Sequence, residues 1–216
     1  MKSSDVFSPC FEYQVQESDS TQATTALLSN SEPLTEALEN SMIATGNNFV
    51  AVLKTDGSVW TWGNNNYGQL GNGEIKNAST YQPTRVLGVN GEGYLNNIKQ
   101  ISAGSYGVIA LTNDGKVVAW GANNYGQLAN TTTSNSGVPV YVQKQVEVTD
   151  EENNSTSEYR DLDNIKQVSC GTLHNLALAN DGTVWSWGLN NYGQLGISVG
   201  STSSSNENYK RTYAVK

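Results

Sequence analysis

The chain has 216 residues, 37% of them hydrophobic, which is enough for one or two domains with a core of their own. A formal net charge of -8 excludes a nucleic-acid binder that draws its affinity from neutralised phosphates, and the two cysteines, Cys10 and Cys170, exclude a disulfide scaffold. The longest apolar runs, such as Val50–Leu53, fall far short of the ~20 residues a membrane-spanning helix needs.

In chain order, residues 1–42 come first, with seven acidic side chains and one lysine. They are predicted as an acidic, largely flexible N-terminal segment. Phe11, Tyr13 and Val15 alternate with polar neighbours as a half-buried strand would, and Ser31-Glu32-Pro33-Leu34 opens a short helix running to Leu38. A basic start followed by an apolar stretch is missing from residues 1–20, so no secretory signal is read there.

From residue 43 onward the chain repeats itself. Segments 46–70, 104–128 and 171–195 align without a gap over 25 positions, 13 of them identical in all three copies. The shared residues are Gly46, Gly104 and Gly171, then the turns Asp56-Gly57, Asp114-Gly115 and Asp181-Gly182. Next come Trp62, Trp120 and Trp187, each followed by Gly, and a closing Asn-Asn-Tyr-Gly-Gln-Leu. Copies lie 58 and 67 residues apart, so the cores are constant and the connections vary. Short apolar runs on either side of Asp-Gly predict a hairpin, with Asp-Gly supplying the positive backbone angles of a tight two-residue connection. Asn97–Ser102 and Asn164–Ser169 predict a strand before the hairpin. Pro83–Leu87 and Pro139–Val142 predict a strand after it, and Arg211–Val215 can supply that strand for the third copy. Each unit is then three or four strands over about sixty residues, too small to bury both of its faces except against its own kind.

Ser-Ala-Gly at 102–104, Ala-Leu at 110–111, Asp-Gly, Trp-Gly and Tyr-Gly-Gln-Leu together resemble the regulator of chromosome condensation repeat. The resemblance covers residues 43–216 and implies an all-β fold, a partial β-propeller of three blades belonging to a seven-bladed type. In this reading the three tryptophans fill the space between adjacent sheets, and the invariant glycines serve crowded turns and the strand nearest the axis. Closed propellers use about 4–8 blades, so three copies leave three arrangements open: a piece of a longer propeller, an open arc, or a homo-oligomer that completes the ring.

Between the second and third cores lies an acidic insertion, residues 147–163, with seven acidic side chains and one arginine. It is predicted as an exposed loop, and Glu147, Asp150, Glu151, Glu152 and Glu158 are the candidate partner-binding residues. With both acidic segments set aside, the blades carry about +4.

Catalysis finds little to build on. His174 is the single histidine and stands where the other copies have Phe49 and Gly107, a packing position; Cys170 reads as a small buried thiol. Cys10, Cys170 and His174 cannot supply the four soft ligands of a zinc site, and each copy offers calcium only one carboxylate. Gly68-Gln69-Leu70-Gly71 lacks the Lys-Ser/Thr ending of a phosphate loop. Tyr67, Tyr125 and Tyr192 read as braces of each blade's loop, with ligand binding as the alternative. The expectation is therefore no catalytic, metal or cofactor residues. The protein would be a non-enzymatic interaction scaffold with a protein partner, no nucleic acid and no membrane span. The resemblance also implies an alternative, guanine nucleotide exchange on a small GTPase. A secreted or cell-surface bacterial repeat protein is the third reading. The compartment is cytoplasmic by default and extracellular only with a signal upstream of Met1.

Overall fold

A computed structural model describes residues 41–150, 153–199 and 209–216. The strand and helix expected within residues 1–40 lie outside the described residues. All described residues belong to one unit, whose regular elements are strands and a short 3-10 turn at Val89–Gly91.

Three sheets follow one another along the chain. The first comprises β1 (Met42–Thr45), β2 (Phe49–Leu53), β3 (Val59–Asn64) and β4 (Ser79–Arg85), in that spatial order and antiparallel throughout. The second repeats it with β5 (Ile98–Ala103), β6 (Gly107–Thr112), β7 (Val117–Gly121) and β8 (Ser136–Tyr141). An extra pair, β9 (Gln143–Thr149) and β10 (Ser155–Asp161), comes next in the chain. The third sheet then forms from β11 (Ile165–Cys170), β12 (His174–Ala179), β13 (Val184–Leu189) and β14 (Lys210–Val215). Its outer strand is the C-terminal segment expected for it, and β9 and β10 continue past it in the order β10-β9-β14-β13-β12-β11. The fold is a partial β-propeller of three blades.

The Asp-Gly turns depart from expectation. In the first blade Leu53 pairs with Val59, Lys54 N–H donates to Ser58 O at 2.9 Å, and Gly57 N–H donates to Lys54 O at 2.9 Å. Residues 112–116 and 179–183 repeat this pattern. These are three-residue connections in which only the glycine takes a positive φ, +76° at Gly57, +81° at Gly115 and +88° at Gly182. The aspartate stays at negative φ, where its carboxylate reaches forward: Ser58 N–H donates to Asp56 Oδ1 at 2.9 Å and Thr183 N–H to Asp181 Oδ1 at 2.9 Å. A two-residue turn would have placed aspartate at positive φ as well.

The Trp-Gly dipeptide marks a β-bulge. Pairing of the third with the fourth strand slips between Thr61 and Gly63, between Ala119 and Gly121, and between Ser186 and Gly188. The glycine after each tryptophan has φ of +110°, +104° and +99° in turn. A Cβ on Gly121 would stand 2.4 Å from Tyr106 O, so the residue must be glycine on both counts.

Sheets meet face to face in two seams. Phe49, Ala51, Leu53 and Val59 of the first blade pack against Val108, Ala110, Val118 and Trp120 of the second. Ile109, Leu111, Val117 and Ala119 of the second pack against Ala177, Ala179 and Trp187 of the third. One blade therefore buries alternate residues of the same strand into opposite seams, as the period of two demands. Trp120 and Trp187 are 0% exposed, whereas Trp62 is only half-buried.

Candidate functional site

The first strands β1, β5 and β11 lie side by side at the centre. Gly46, Gly104 and Gly171 make that approach tolerable: a Cβ on Gly46 would lie 2.6 Å from Gly104 O, and one on Gly104 would lie 2.6 Å from Gly171 O. Gln100 fastens β5 to β11 by donating from Nε2 to Val168 O at 2.9 Å and accepting from Val168 N–H at 3.0 Å.

His174 packs its ring over Gly171, as Phe49 does over Gly46, and burial lowers its pKa. The Cys170 thiol donates to Ser102 O at 3.2 Å, and burial pushes its pKa up to about 12. A thiol held protonated, with its hydrogen bond spent on a carbonyl, is not poised as a nucleophile. Among the described residues, no three His, Cys, Asp or Glu side chains converge as metal ligands would. Asp56, Asp114 and Asp181 stay in three separate turns. Ser58 holds the Asp56 carboxyl below its usual pKa by donating from hydroxyl and amide, and Thr183 does the same for Asp181 by donating from its amide and its hydroxyl.

The recurring Asn-Asn-Tyr-Gly-Gln-Leu run is an internal brace. Buried Asn65, Asn123 and Asn190 each accept the amide of the leucine five residues on, at 3.1, 2.9 and 3.0 Å. Gln69, Gln127 and Gln194 accept the tyrosine amide two residues back. Tyr67 then packs at a tilt against Tyr106 of the next blade, with ring centroids 4.9 Å apart, and Tyr125 meets Tyr209 at 6.3 Å. Tyr192 has no such neighbour among the described residues and is 88% exposed.

The acidic insertion is not an irregular loop. Residues 143–161 form the β9–β10 hairpin, in register from Gln143↔Asp161 to Thr149↔Ser155. Sequence reading missed it because residues 153–160 are exposed throughout, leaving no apolar alternation to betray a strand. Val146 and Val148 were the only hint. Asp150 closes the hairpin, accepting Asn154 N–H at 2.8 Å and Asn154 Nδ2 at 3.1 Å. Glu151 and Glu152 lie outside the described residues.

Three contacts anchor the hairpin. Lys144 of β9 pairs with Ala214 of β14, the Tyr159 ring lies 5.5 Å from Tyr213, and Lys116 Nζ bonds Asp161 Oδ2 at 3.0 Å. That last bond, joining the hairpin to the second blade, raises the Lys116 pKa. Lys144 also pairs with Asp163. Asp161 and Asp163 thus hold the hairpin in place, while Glu147 and Glu158 stay exposed on opposite faces of it. Glu147 accepts from Ser157 Oγ at 3.0 Å, and Glu158 accepts from Arg160 at 3.1 Å.

Residues 56–111, 114–178 and 181–209 match the regulator of chromosome condensation (RCC1) repeat, and a second form of the same repeat matches 98–127 and 165–194. The chain belongs to the RCC1 repeat family. RCC1-family relatives include the ultraviolet-B receptor UVR8 of Arabidopsis thaliana, 32% identical over 73% of this chain and 31% of its own. Protein pim1 of Schizosaccharomyces pombe is 35% identical over 70% of this chain and 28% of its own. The chain therefore spans under a third of either relative. Among solved structures, human WBSCR16 superposes with a TM-score of 0.58 at 22% identity, covering 81% of this chain and 38% of that one, a likeness of fold.

Proposed function

We propose that this RCC1-repeat protein is a non-enzymatic scaffold that binds a protein partner, with the β9–β10 hairpin as its contact element. The observation that carries the reading is the hairpin itself: an acidic element projecting from mildly basic blades, strand-paired and pinned to two of them, with Glu147 and Glu158 exposed. A preformed element loses less conformational entropy on docking than a loose loop, and its negative field steers it toward a basic surface.

The test compares the proteins retained from cell extract by the full chain and by a variant carrying Glu147→Gln, Asp150→Asn and Glu158→Gln. Partners lost by the variant and released from the wild type by salt support the reading; an unchanged set overturns it. Purified small GTPases provide the contrast. Faster nucleotide release in the presence of the chain would replace the scaffold reading with an exchange factor.

A further inference from the structure

The two internal seams share one geometry. Trp120 Nε1 donates to Gln69 O at 3.0 Å, and Trp187 Nε1 donates to Gln127 O at 2.8 Å, so the tryptophan before the bulge glycine enters a slot on the preceding blade. The slot floor is small. A Cβ on Gly71 would lie 3.0 Å from the Trp120 indole nitrogen, and its counterpart in the second blade, Ala129, is packed in the same core as Trp187.

Both halves of this arrangement recur unused at the two ends of the described fold. Gly196 stands where Gly71 and Ala129 stand, but a Cβ there would meet nothing within 4 Å among the described residues. Beside it, Gln194 O accepts no hydrogen bond among them. At the other end the indole nitrogen of the half-buried Trp62 likewise donates to no group among the described residues. Position matters more than residue type here: Val117 is 0% exposed in the second blade, whereas its counterpart Val184 in the third is 53% exposed.

We infer that two copies of this chain associate head to tail, the first blade of one seated on the third blade of the other, with Trp62 donating to the Gln194 carbonyl and its indole lying over Gly196. A second copy is the fitting occupant because the chain carries both halves of the joint and already makes that joint twice within itself. Two such contacts would join six blades, one fewer than the seven-bladed type but within the range of about 4–8 that closed propellers use, so a slightly wider angle between blades lets the heterologous interface close rather than grow into a filament.

Light scattering on the full chain should give twice the chain mass, falling to one chain mass on dilution. Trp62→Ala and Val184→Glu should each halve the mass at a concentration where the wild type is paired, with an unaltered far-ultraviolet circular dichroism spectrum. Val184→Glu keeps the test decisive if Trp62→Ala fails to fold, because that side chain is half exposed. A wild type of one chain mass at every concentration, or a dimer that survives Val184→Glu, overturns the inference.

Discussion

Trp120 and Gln69 are 51 residues apart in the chain and one hydrogen bond apart in space, 3.0 Å from the indole nitrogen to the carbonyl oxygen. The bond is buried, and it forms only when the second blade lies in register on the first. One side chain thus supplies the apolar area of the seam and the directional contact that sets its register.

Truncation and donor loss at this seam should separate. Trp120→Ala should lower the free energy of unfolding by about 3–5 kcal/mol through the cavity it leaves. Trp120→Phe should cost less, about 1–3 kcal/mol beyond its smaller volume loss, because Gln69 O is left buried without a donor. Urea titration followed by tyrosine and tryptophan fluorescence measures both.

The two kinds of glycine should respond differently to alanine. At Gly115 the added Cβ meets backbone at an ordinary 3.4 Å, so only the positive φ is penalised, at about 1 kcal/mol. At Gly121 the Cβ would also strike Tyr106 O at 2.4 Å, and the bulge must deform. Gly121→Ala should therefore shift the thermal midpoint further than Gly115→Ala does.

Stability should fall in acid through the turn aspartates. The folded-state pKa values of Asp56 and Asp181 are depressed by Ser58 and Thr183, so their contribution is present in full above the unfolded carboxylate value of about 4 and is lost as pH drops through the lower folded values. Urea midpoints measured from pH 6 to pH 3 should decline less steeply in the Asp56→Asn, Asp181→Asn double variant than in the wild type.

Cys170 should react slowly until the fold opens. With its pKa pushed up to about 12, almost none of it is thiolate at pH 8. In a Cys10→Ser chain, a thiol reagent should react far more slowly than with an ordinary cysteine and become fast in denaturant.

Much of this protein was legible before any coordinates. The 25-residue register placed the strand pairs on either side of Asp-Gly, Asn97–Ser102 and Asn164–Ser169 the strand before the second and third pairs, and the prolines the outer strand of the first two blades, because apolar alternation and turn residues are local signals. The bulge at Trp-Gly was not legible: it depends on how the third strand slips against the fourth, and the glycine that permits it looks like any other. The β9–β10 hairpin was hidden for a different reason. β10 is exposed along almost its whole length, so a strand held by neighbouring backbone has the composition of a loop.

By itself the amino-acid sequence determined that three equivalent sheets form and that their tryptophans, glycines and leucines recur in step, since these follow from short-range periodicity and turn chemistry. Only the tertiary structure decided what each recurrence accomplishes: Trp120 and Trp187 closed on a carbonyl of the preceding blade, Trp62 left half covered, and an acidic insertion drawn into strands along β14. Those outcomes depend on which face meets which neighbour, and that is set by burial across sheets rather than by any residue's own preference.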